Sequence, residues 1–200
     1  MRRATQMTGR GFTIVELLVV IVVIAVLATI SVIAYNGIQA RAEKTKTLSA
    51  VRSFEQALKA YEAFGNTLPE SVSYCLGTGY TDKTGDGVPD CRWNTGTVSP
   101  NAAFNASLAQ YVQTSITITQ KPVTSGNAGI IGMYFMNDSD LTLDGSPQHN
   151  WIVYAVQDKH CGRTVPLLID PYPEGGFTSK PNDTVSENWG SGGLCWVPLE

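Results

Sequence analysis

The sequence has few of the residues from which metal and catalytic sites are built. It contains two histidines, His149 and His160, and neither belongs to an HExxH pattern or to a recognisable triad spacing. No CxxC or CxxH pair occurs, which disfavours a structural zinc site. Because no set of nucleophile, base and acid is apparent, we expect a protein that is not an enzyme and that requires no cofactor.

Long apolar runs are equally scarce, and the single one lies near the N-terminus. Residues 17–28 contain no polar side chain, and residues 17–40 contain no charged one. The whole chain of 200 residues has a mean hydropathy of −0.02, and its length allows one ordinary hydrophobic core. These features exclude a polytopic membrane protein and predict one folded domain with an N-terminal membrane segment.

Acidic side chains are almost absent from the N-terminal part of the chain, where Glu16 is the only one before residue 43. Arg2, Arg3 and Arg10 precede the apolar segment, and basic residues favour the cytoplasmic side, so the remainder is predicted to lie outside. Removal of residues 1–11 leaves 11 of the 14 basic side chains against 17 acidic ones, hence a formal net charge of −6. Such a charge disfavours nucleic acid and anionic lipid as partners.

All four cysteines follow the apolar segment, at positions Cys75, Cys91, Cys161 and Cys195. An even number of cysteines in an exported region predicts two disulfides. Three pairings are possible, and sequence proximity favours Cys75 with Cys91 and Cys161 with Cys195. Each bond would stabilise the fold by about 2–4 kcal/mol, because it restricts the unfolded chain.

A helical pattern continues beyond the apolar segment. From Leu48 onward apolar residues recur at helical spacing, with charged residues at most other positions; the apolar residues are Val51, Phe54, Leu58 and Tyr61. We predict one helix from near Phe12 to near Phe64, on the order of 80 Å long at 1.5 Å per residue. A bilayer core requires only about 30 Å. The outer half of the helix is therefore expected to pack on the folded part of the chain that follows it, which we call the head.

Two glycine-containing sequences interrupt or end this helix. Gly65-Asn66, followed by Pro69, is typical of a helix C-terminus. Asn36-Gly37 lies in the helix interior, where a glycine costs about 1 kcal/mol relative to alanine. We expect a bend or local melting there.

The region after the helix predicts loops followed by an antiparallel sheet. Residues 66–114 are rich in Gly, Thr, Asn and Asp, with a short helix near 102–112. Four strands are expected, at 115–120, 130–136, 151–156 and 165–169. The last contains Pro166, which is tolerated only in an edge strand or at the first positions of a strand. Asp144-Gly145 marks a turn, and no strand is predicted in the Gly- and Pro-rich tail beyond residue 170. This order predicts an α+β fold in which the sheet packs on the long helix.

The most informative sequence lies at the start of the apolar segment: Arg10-Gly11-Phe12-Thr13-Ile14-Val15-Glu16-Leu17. A carboxylate in such a segment costs about 2.5–3.5 kcal/mol unless it finds a partner, so Glu16 requires an explanation. The string closely resembles the type IV prepilin signal, in which a basic residue and a glycine precede Phe-Thr, two apolar residues and Glu-Leu. An interfacial glutamate that reaches the headgroups would explain Glu16 alone, but not Gly11, Phe12, Thr13 and the continuing helix together.

The resemblance implies a processing site and an assembly mechanism. A membrane-embedded aspartic peptidase would cut after Gly11, and the new amino group on Phe12 would be N-methylated. In a filament, the Glu16 carboxylate would pair with the Phe12 ammonium of a neighbouring subunit and set the axial register. Thr13 and Leu17 belong to the same assembly motif. The expected fold is the pilin fold, with its long N-terminal helix and its antiparallel head.

The resemblance covers roughly the first 55 residues and implies a division of the chain. We expect a class III leader peptide (1–11), a membrane and filament-core half-helix (12–35), an amphipathic half-helix (36–65), a disulfide-pinned loop region (66–114) and a sheet with a disulfide-closed C-terminal region (115–200). Expected partners are other copies in a homopolymer, the prepilin peptidase, and indirectly an assembly platform and a motor ATPase. Before assembly the subunit would be a single-pass membrane protein with a cytoplasmic N-terminus, and afterwards part of an extracellular filament.

Several roles remain open within this resemblance. The chain could build a type IV pilus that serves twitching motility or adhesion, or act as a pseudopilin of a type II secretion-like system. It could also be a minor or tip pilin with an adhesive or DNA-uptake role, although the acidic head disfavours DNA. One departure from many relatives is Ile33, which stands where they carry proline.

A second pattern lies between the first two cysteines, in residues 82–90. It resembles the first part of an EF-hand-like calcium loop, although Trp93 replaces the usual bidentate acid. The oxygens on offer belong to Asp82, Thr84, Asp86, the Val88 carbonyl and Asp90. A solvated Asp/Gly turn shortened by the disulfide explains the pattern equally well. Calcium is therefore a candidate cofactor, and both interpretations stay open.

Overall fold

The structure is a computed structural model that describes residues 13–94, 96–111, 116–118, 121–144, 146–158, 160–163, 167–168, 176–178 and 187–199. The chain divides into two compact units, Met1–Arg41 and Ala42–Glu200. The described residues form two helices and twelve short strands: α1 (Ile14–Ala63), β1 (Ser73–Cys75), β2 (Arg92–Trp93), α2 (Ala102–Ala109), β3 (Val123–Ser125), β4 (Ala128–Ile130), β5 (Met133–Asn137), β6 (Thr142–Leu143), β7 (Ser146–Pro147), β8 (Asn150–Val156), β9 (Leu167–Leu168), β10 (Gly176–Thr178), β11 (Glu187–Trp189) and β12 (Gly192–Pro198).

Helix α1 ends where the sequence predicts. Gly65 adopts a left-handed backbone with φ +84°, and its N–H donates to the Glu62 carbonyl at 2.8 Å. The Asn66 N–H donates to the Tyr61 carbonyl at 3.3 Å, which completes a Schellman motif. The backbone is helical through residues 36–37, so the local melting expected there is not found.

The second half of α1 packs on the sheet of the head. One face of the helix is buried, as the spacing of Val51, Phe54 and Leu58 predicts. These residues belong to the same core as Phe135 and Trp151 from the sheet. Burial of each such side chain stabilises the fold by about 1.5–3 kcal/mol. The predicted α+β architecture, a long helix packed on an antiparallel sheet with two disulfides, is confirmed.

The main sheet has five strands in the order β1-β5-β8-β12-β11, and every neighbouring pair is antiparallel. Strand β8, which the sequence predicts as 151–156, has every residue from Trp151 to Val156 buried. Its neighbour β12 falls in the tail where no strand is expected, and that expectation is wrong. The β12 ladder pairs Leu194 with Ala155 and Cys195 with Tyr154.

Two other predicted strands need correction. In the predicted strand 115–120, the described residues 116–118 form only an isolated bridge between Thr117 and Thr78. The predicted strand 130–136 is two strands, β4 and β5, because Gly132 adopts φ +71° between them. Strand β4 is the centre of a separate three-stranded sheet with β2 and β3.

The smaller elements complete the head. Strand β9 lies at the edge of a four-stranded sheet ordered β7-β6-β10-β9, which agrees with the edge position expected for the predicted strand 165–169. Residues 164–166 and 169 lie outside the described part. Helix α2 is shorter than the predicted 102–112. The Asn101 side chain caps it by accepting a hydrogen bond from the Phe104 N–H at 2.9 Å. The Phe104 ring contacts Tyr61 and Phe135, so α2 is held between α1 and the sheet.

Both disulfides pair the cysteines that sequence proximity favours. Cys75 at the end of β1 bonds to Cys91, and Cys161 bonds to Cys195 in β12. All four residues are buried. The second bond attaches β12, and with it the C-terminal part of the main sheet, to the chain that follows β8.

Candidate functional site

The first turn of α1 is closed by a capping box between Thr13 and Glu16. One Glu16 carboxylate oxygen, Oε2, accepts hydrogen bonds from the Thr13 N–H at 2.8 Å and from the Thr13 hydroxyl at 2.9 Å. In return, the Glu16 N–H donates to the Thr13 hydroxyl at 3.2 Å. A Thr-x-x-Glu sequence before an apolar run is the signature of this motif. Sequence reasoning assigned both residues to assembly and missed the cap, although its signal was present.

The capping box gives the Glu16 carboxylate hydrogen-bond partners without neutralising its charge. A negative side chain in the first turn also interacts favourably with the helix macrodipole. Among the described residues, no cation lies within ion-pair distance of Glu16. The capping box therefore orients a carboxylate for which the described part of the chain supplies no counter-charge.

The helix surface that follows Glu16 is apolar and exposed. The segment Ile14–Ser31 has a mean hydropathy of 3.0, and it is the one segment of the described residues that is long and apolar enough to cross a membrane. Its few hydroxyls are satisfied within the helix, because Thr29 donates to the Ala25 carbonyl and Ser31 to the Leu27 carbonyl, each at 2.8 Å. No polar side chain interrupts residues 17–28, so lipid tails or other apolar helices are the environment that this surface fits.

The acidic loop predicted from the sequence also forms a local cluster. Ligand oxygens of Asp82, Asp86 and Asp90 all lie within 4.8 Å of one another. Asp82 accepts hydrogen bonds from the Gly85 N–H at 2.6 Å and from the Gly87 N–H at 2.8 Å. These bonds lower the pKa of the Asp82 carboxyl, so this exposed side chain remains ionised at neutral pH.

Asp90 is the buried member of the cluster, with no solvent-exposed area. One of its oxygens accepts from the Thr84 hydroxyl at 3.1 Å and from the Lys83 N–H at 3.1 Å. The other accepts from the Ser99 hydroxyl at 3.1 Å. The carboxylate thus fixes the loop to the strand region that follows, a role that the sequence pattern does not reveal.

Two further positions of the loop pattern, Val88 and Trp93, contribute no side-chain oxygen. The Val88 side chain is exposed, and the Val88 N–H donates to Asp86 at 2.9 Å. Trp93, at the position of the usual bidentate acid, is buried, and its ring fills the space above Gly129. The loop therefore offers three carboxylates and the Thr84 hydroxyl, and the twelfth position of the calcium-loop pattern supplies no oxygen.

Gly11 and Phe12, the residues of the predicted processing site, lie outside the described residues, so their prediction rests on the sequence. A comparison with protein families matches residues 7–32 to the prokaryotic N-terminal methylation motif. The chain carries the type IV prepilin signal. The matched residues span the predicted cut after Gly11 and cover the apolar segment Ile14–Ser31. No curated protein and no solved structure matches the chain.

The prepilin signal indicates a type IV pilin-like or pseudopilin protein, a family of structural subunits. It also implies processing by the prepilin peptidase, and together with the exposed apolar helix it fits a membrane-anchored precursor. The matched segment ends well before the head begins at Ala42. The role of the head must therefore be argued from its own residues.

Proposed function

We propose that this protein is the structural subunit of a type IV pilus or a related surface filament. The prepilin signal at residues 7–32 carries the proposal. The exposed apolar surface of Ile14–Ser31 supports it, because such a surface requires either lipid or the packed helices of a filament core. The folded head of residues 42–200 would then lie on the outside of the filament.

Glu16 would drive the transfer of the subunit from membrane to filament. In the membrane the capping box supplies hydrogen bonds but no counter-charge. In the filament the Phe12 ammonium of a neighbouring subunit would provide that charge, after cleavage behind Gly11. Because an unpaired carboxylate in a bilayer costs about 2.5–3.5 kcal/mol or more, this pairing favours assembly and sets the axial register of the subunits.

The proposal includes the partners and locations that such a pathway needs. The prepilin peptidase cuts the precursor while its N-terminus is cytoplasmic, as the arginines before the apolar segment favour. A motor ATPase and a membrane platform then add the subunit to a homopolymer outside the cell. Motility and adhesion are the expected outputs of such a filament, and DNA uptake is disfavoured by the acidic head.

A pseudopilin of a type II secretion-like machine is the main alternative, and a minor or tip pilin is another. Electron microscopy of sheared surface material, combined with mass spectrometry of this subunit, separates them. Abundant long fibres made mainly of this chain support a major pilin. Fibres that contain only traces of it support a minor pilin, and short membrane-associated assemblies without surface fibres support a pseudopilin.

We also propose that the loop of Asp82, Asp86 and Asp90 binds calcium. Three carboxylates within 4.8 Å of one another and the Thr84 hydroxyl are the hard oxygen donors that this ion prefers. With Trp93 in place of the twelfth ligand, water or an oxygen from elsewhere must complete the shell. We expect a dissociation constant of about 10⁻⁴–10⁻³ M, the range of extracellular calcium modules.

Calcium should raise the melting temperature of the head, residues 42–200. At a hundredfold excess over the dissociation constant, the stabilisation is about 2.7 kcal/mol. Asp86→Asn should remove the effect, whereas Asp140→Asn, an exposed acid outside the loop, should retain it. Differential scanning calorimetry with calcium, and with magnesium as the ionic control, measures this. Equal shifts for both variants, or no shift for the unaltered head, would leave only the solvated turn as the explanation.

A further inference from the structure

A polar groove of about 630 Å³ lies beside the C-terminal end of α1. Two exposed carboxylates, Glu62 and Glu70, line it, together with the amides of Asn66 and Asn137 and the imidazole of His149. Neither carboxylate makes an ion pair with a described residue. The groove therefore presents uncompensated negative charge.

The helix end intensifies this negative charge. The last turn of α1 contains no basic residue, and it carries Glu62 where the helix macrodipole is already negative. A carboxylate at this position is unfavourable for the isolated helix, so its presence is not explained by the stability of the helix. A cation placed in the groove would interact favourably with the helix end and with both carboxylates.

Hydrogen bonds within the protein fix the residues that line the groove. The Asn137 side chain accepts a hydrogen bond from the Ser71 N–H at 2.7 Å and donates one to the Asn150 side chain at 2.8 Å. Ser71 adopts a left-handed backbone, with φ +53°, to make its contact. Because these bonds fix the floor of the groove, binding requires little reorganisation.

The complementary surface lies on the same helix. Between Ala42 and Lys59 the exposed positions of α1 carry three cations and no acid; they are Ala42, Thr45, Lys46, Ser49, Arg52, Gln56 and Lys59. Lys46 and Arg52 make no ion pair with a described residue, and Lys59 reaches only Glu55, at 3.6 Å. The residues from Lys46 to Lys59 span about 20 Å along the helix. We call this surface the basic face.

We propose that the groove at Glu62 and Glu70 receives the basic face of a second copy of this chain. The two surfaces carry opposite charge and follow one another along α1, with Lys59 three residues before Glu62. A contact between the groove of one copy and the basic face of the next is heterologous and can repeat along an open filament. A polyanion is a poor occupant of the basic face, because the processed chain is acidic overall. This inference rests on the proposed filament function and adds to it a contact between heads.

Charge reversal in the full chain, expressed with its assembly machinery, tests the contact. The basic-face variant is Lys46→Glu with Arg52→Glu, the groove variant is Glu62→Lys with Glu70→Lys, and a third chain combines all four changes. Lys121→Glu, which reverses an exposed lysine elsewhere on the head and outside the acidic loop, is the control. The readout is the sheared filament mass relative to the subunit held in the membrane.

Each two-residue variant should lower this ratio at least roughly threefold, as expected for the loss of an exposed ionic contact, and the fourfold variant should restore it. The control should match the unaltered chain. The groove variant should melt no lower than the unaltered chain, since lysine in the last turn suits the helix macrodipole. If its melting temperature is not lowered, a reduced filament mass in the groove variant is not caused by misfolding.

Several results would overturn the inference. The fourfold variant could assemble no better than the two-residue variants, or the control could assemble as poorly as the basic-face variant. The basic-face variant could instead lose subunit from the membrane, which would identify anionic headgroups as its partner. If the unaltered chain forms no filaments, the proposed function is wrong, and this inference is wrong with it. If every charge-reversed variant forms filaments in normal amounts, only this inference is wrong.

Discussion

Glu16→Gln should leave the subunit processed and stable in the membrane, yet reduce its incorporation into filaments by up to about 300-fold. Glutamine can replace glutamate in a capping box, so the hydrogen bonds to Thr13 persist while the negative charge is lost. The unpaired charge disfavours the membrane state by about 2.5–3.5 kcal/mol, and each 1.4 kcal/mol corresponds to a factor of ten. Immunoblots of sheared filaments and of membranes measure the two populations.

Thr13→Ala is the matched control for this variant. It removes the hydroxyl bonds of the capping box, which are the 2.9 Å bond to the Glu16 carboxylate and the 3.2 Å bond from the Glu16 N–H. The charge of Glu16 stays, so assembly should remain close to normal, with a loss of about 1 kcal/mol of helix stability. If Glu16→Gln assembles normally while Thr13→Ala does not, Glu16 acts as a cap and the proposed pairing with Phe12 is wrong.

Replacing both Cys161 and Cys195 with alanine should destabilise the head by about 4 kcal/mol, the chain-entropy value for a closed loop of this size. The bond joins residues that are 34 positions apart. In a domain of this length, a loss of that size lowers the melting temperature by roughly 8–16 °C. Thermal unfolding of residues 42–200 followed by circular dichroism measures the shift.

The other disulfide provides the comparison. Cys75 and Cys91 are 16 positions apart, so their replacement by alanine should cost less, about 3 kcal/mol by the same argument. Strand β12 remains paired with β8 in the first variant, so unfolding should stay cooperative. A larger loss from the Cys75–Cys91 pair would show that packing around the buried sulfurs, and not loop closure, determines the contribution of these bonds.

Local patterns predict the helix and its ends well. The apolar spacing of Val51, Phe54 and Leu58 is a property of one segment, and the structure buries those side chains. The end at Gly65 follows from a residue that tolerates a left-handed backbone. The capping box at Thr13 and Glu16 is equally local, because the Thr-x-x-Glu spacing before an apolar run is its signature.

The sheet is predicted less well because its pairing is not local. Strand β12 begins with Gly192-Gly193 and ends at Pro198, a composition that disfavours a strand. It is held by contacts that are distant in sequence, the ladder with β8 and the bond to Cys161. In contrast, the alternation of Ile116 and Ile118 correctly indicates that Ile118 is buried. The alternation does not indicate that the pairing here is a single isolated β-bridge, between Thr117 and Thr78, instead of a strand.

The acidic loop illustrates what spacing can and cannot reveal. The spacing of Asp82, Asp86 and Asp90 predicts their convergence, and the structure brings them within 4.8 Å of one another. It does not reveal that Asp90 is buried and that Ser99 donates to it. The contact between Ser99 and Asp90 depends on the tertiary path of the chain after Cys91, which local spacing does not determine. The charge of the groove at Glu62 and Glu70 is likewise a product of the tertiary fold.

The N-terminus of the subunit in sheared surface filaments tests the central claim most directly. Mass spectrometry of the N-terminal peptide should find a chain that begins at Phe12 with a methylated amino group, as the prepilin signal at residues 7–32 implies. An ordinary secretory signal could be cut after Ala34, because Val32 and Ala34 are residues that such a cut accepts; a chain that begins at Tyr35 would identify it. Filaments whose subunits retain residues 1–11 would exclude the pairing of Phe12 with Glu16. Either result would contradict the proposed function.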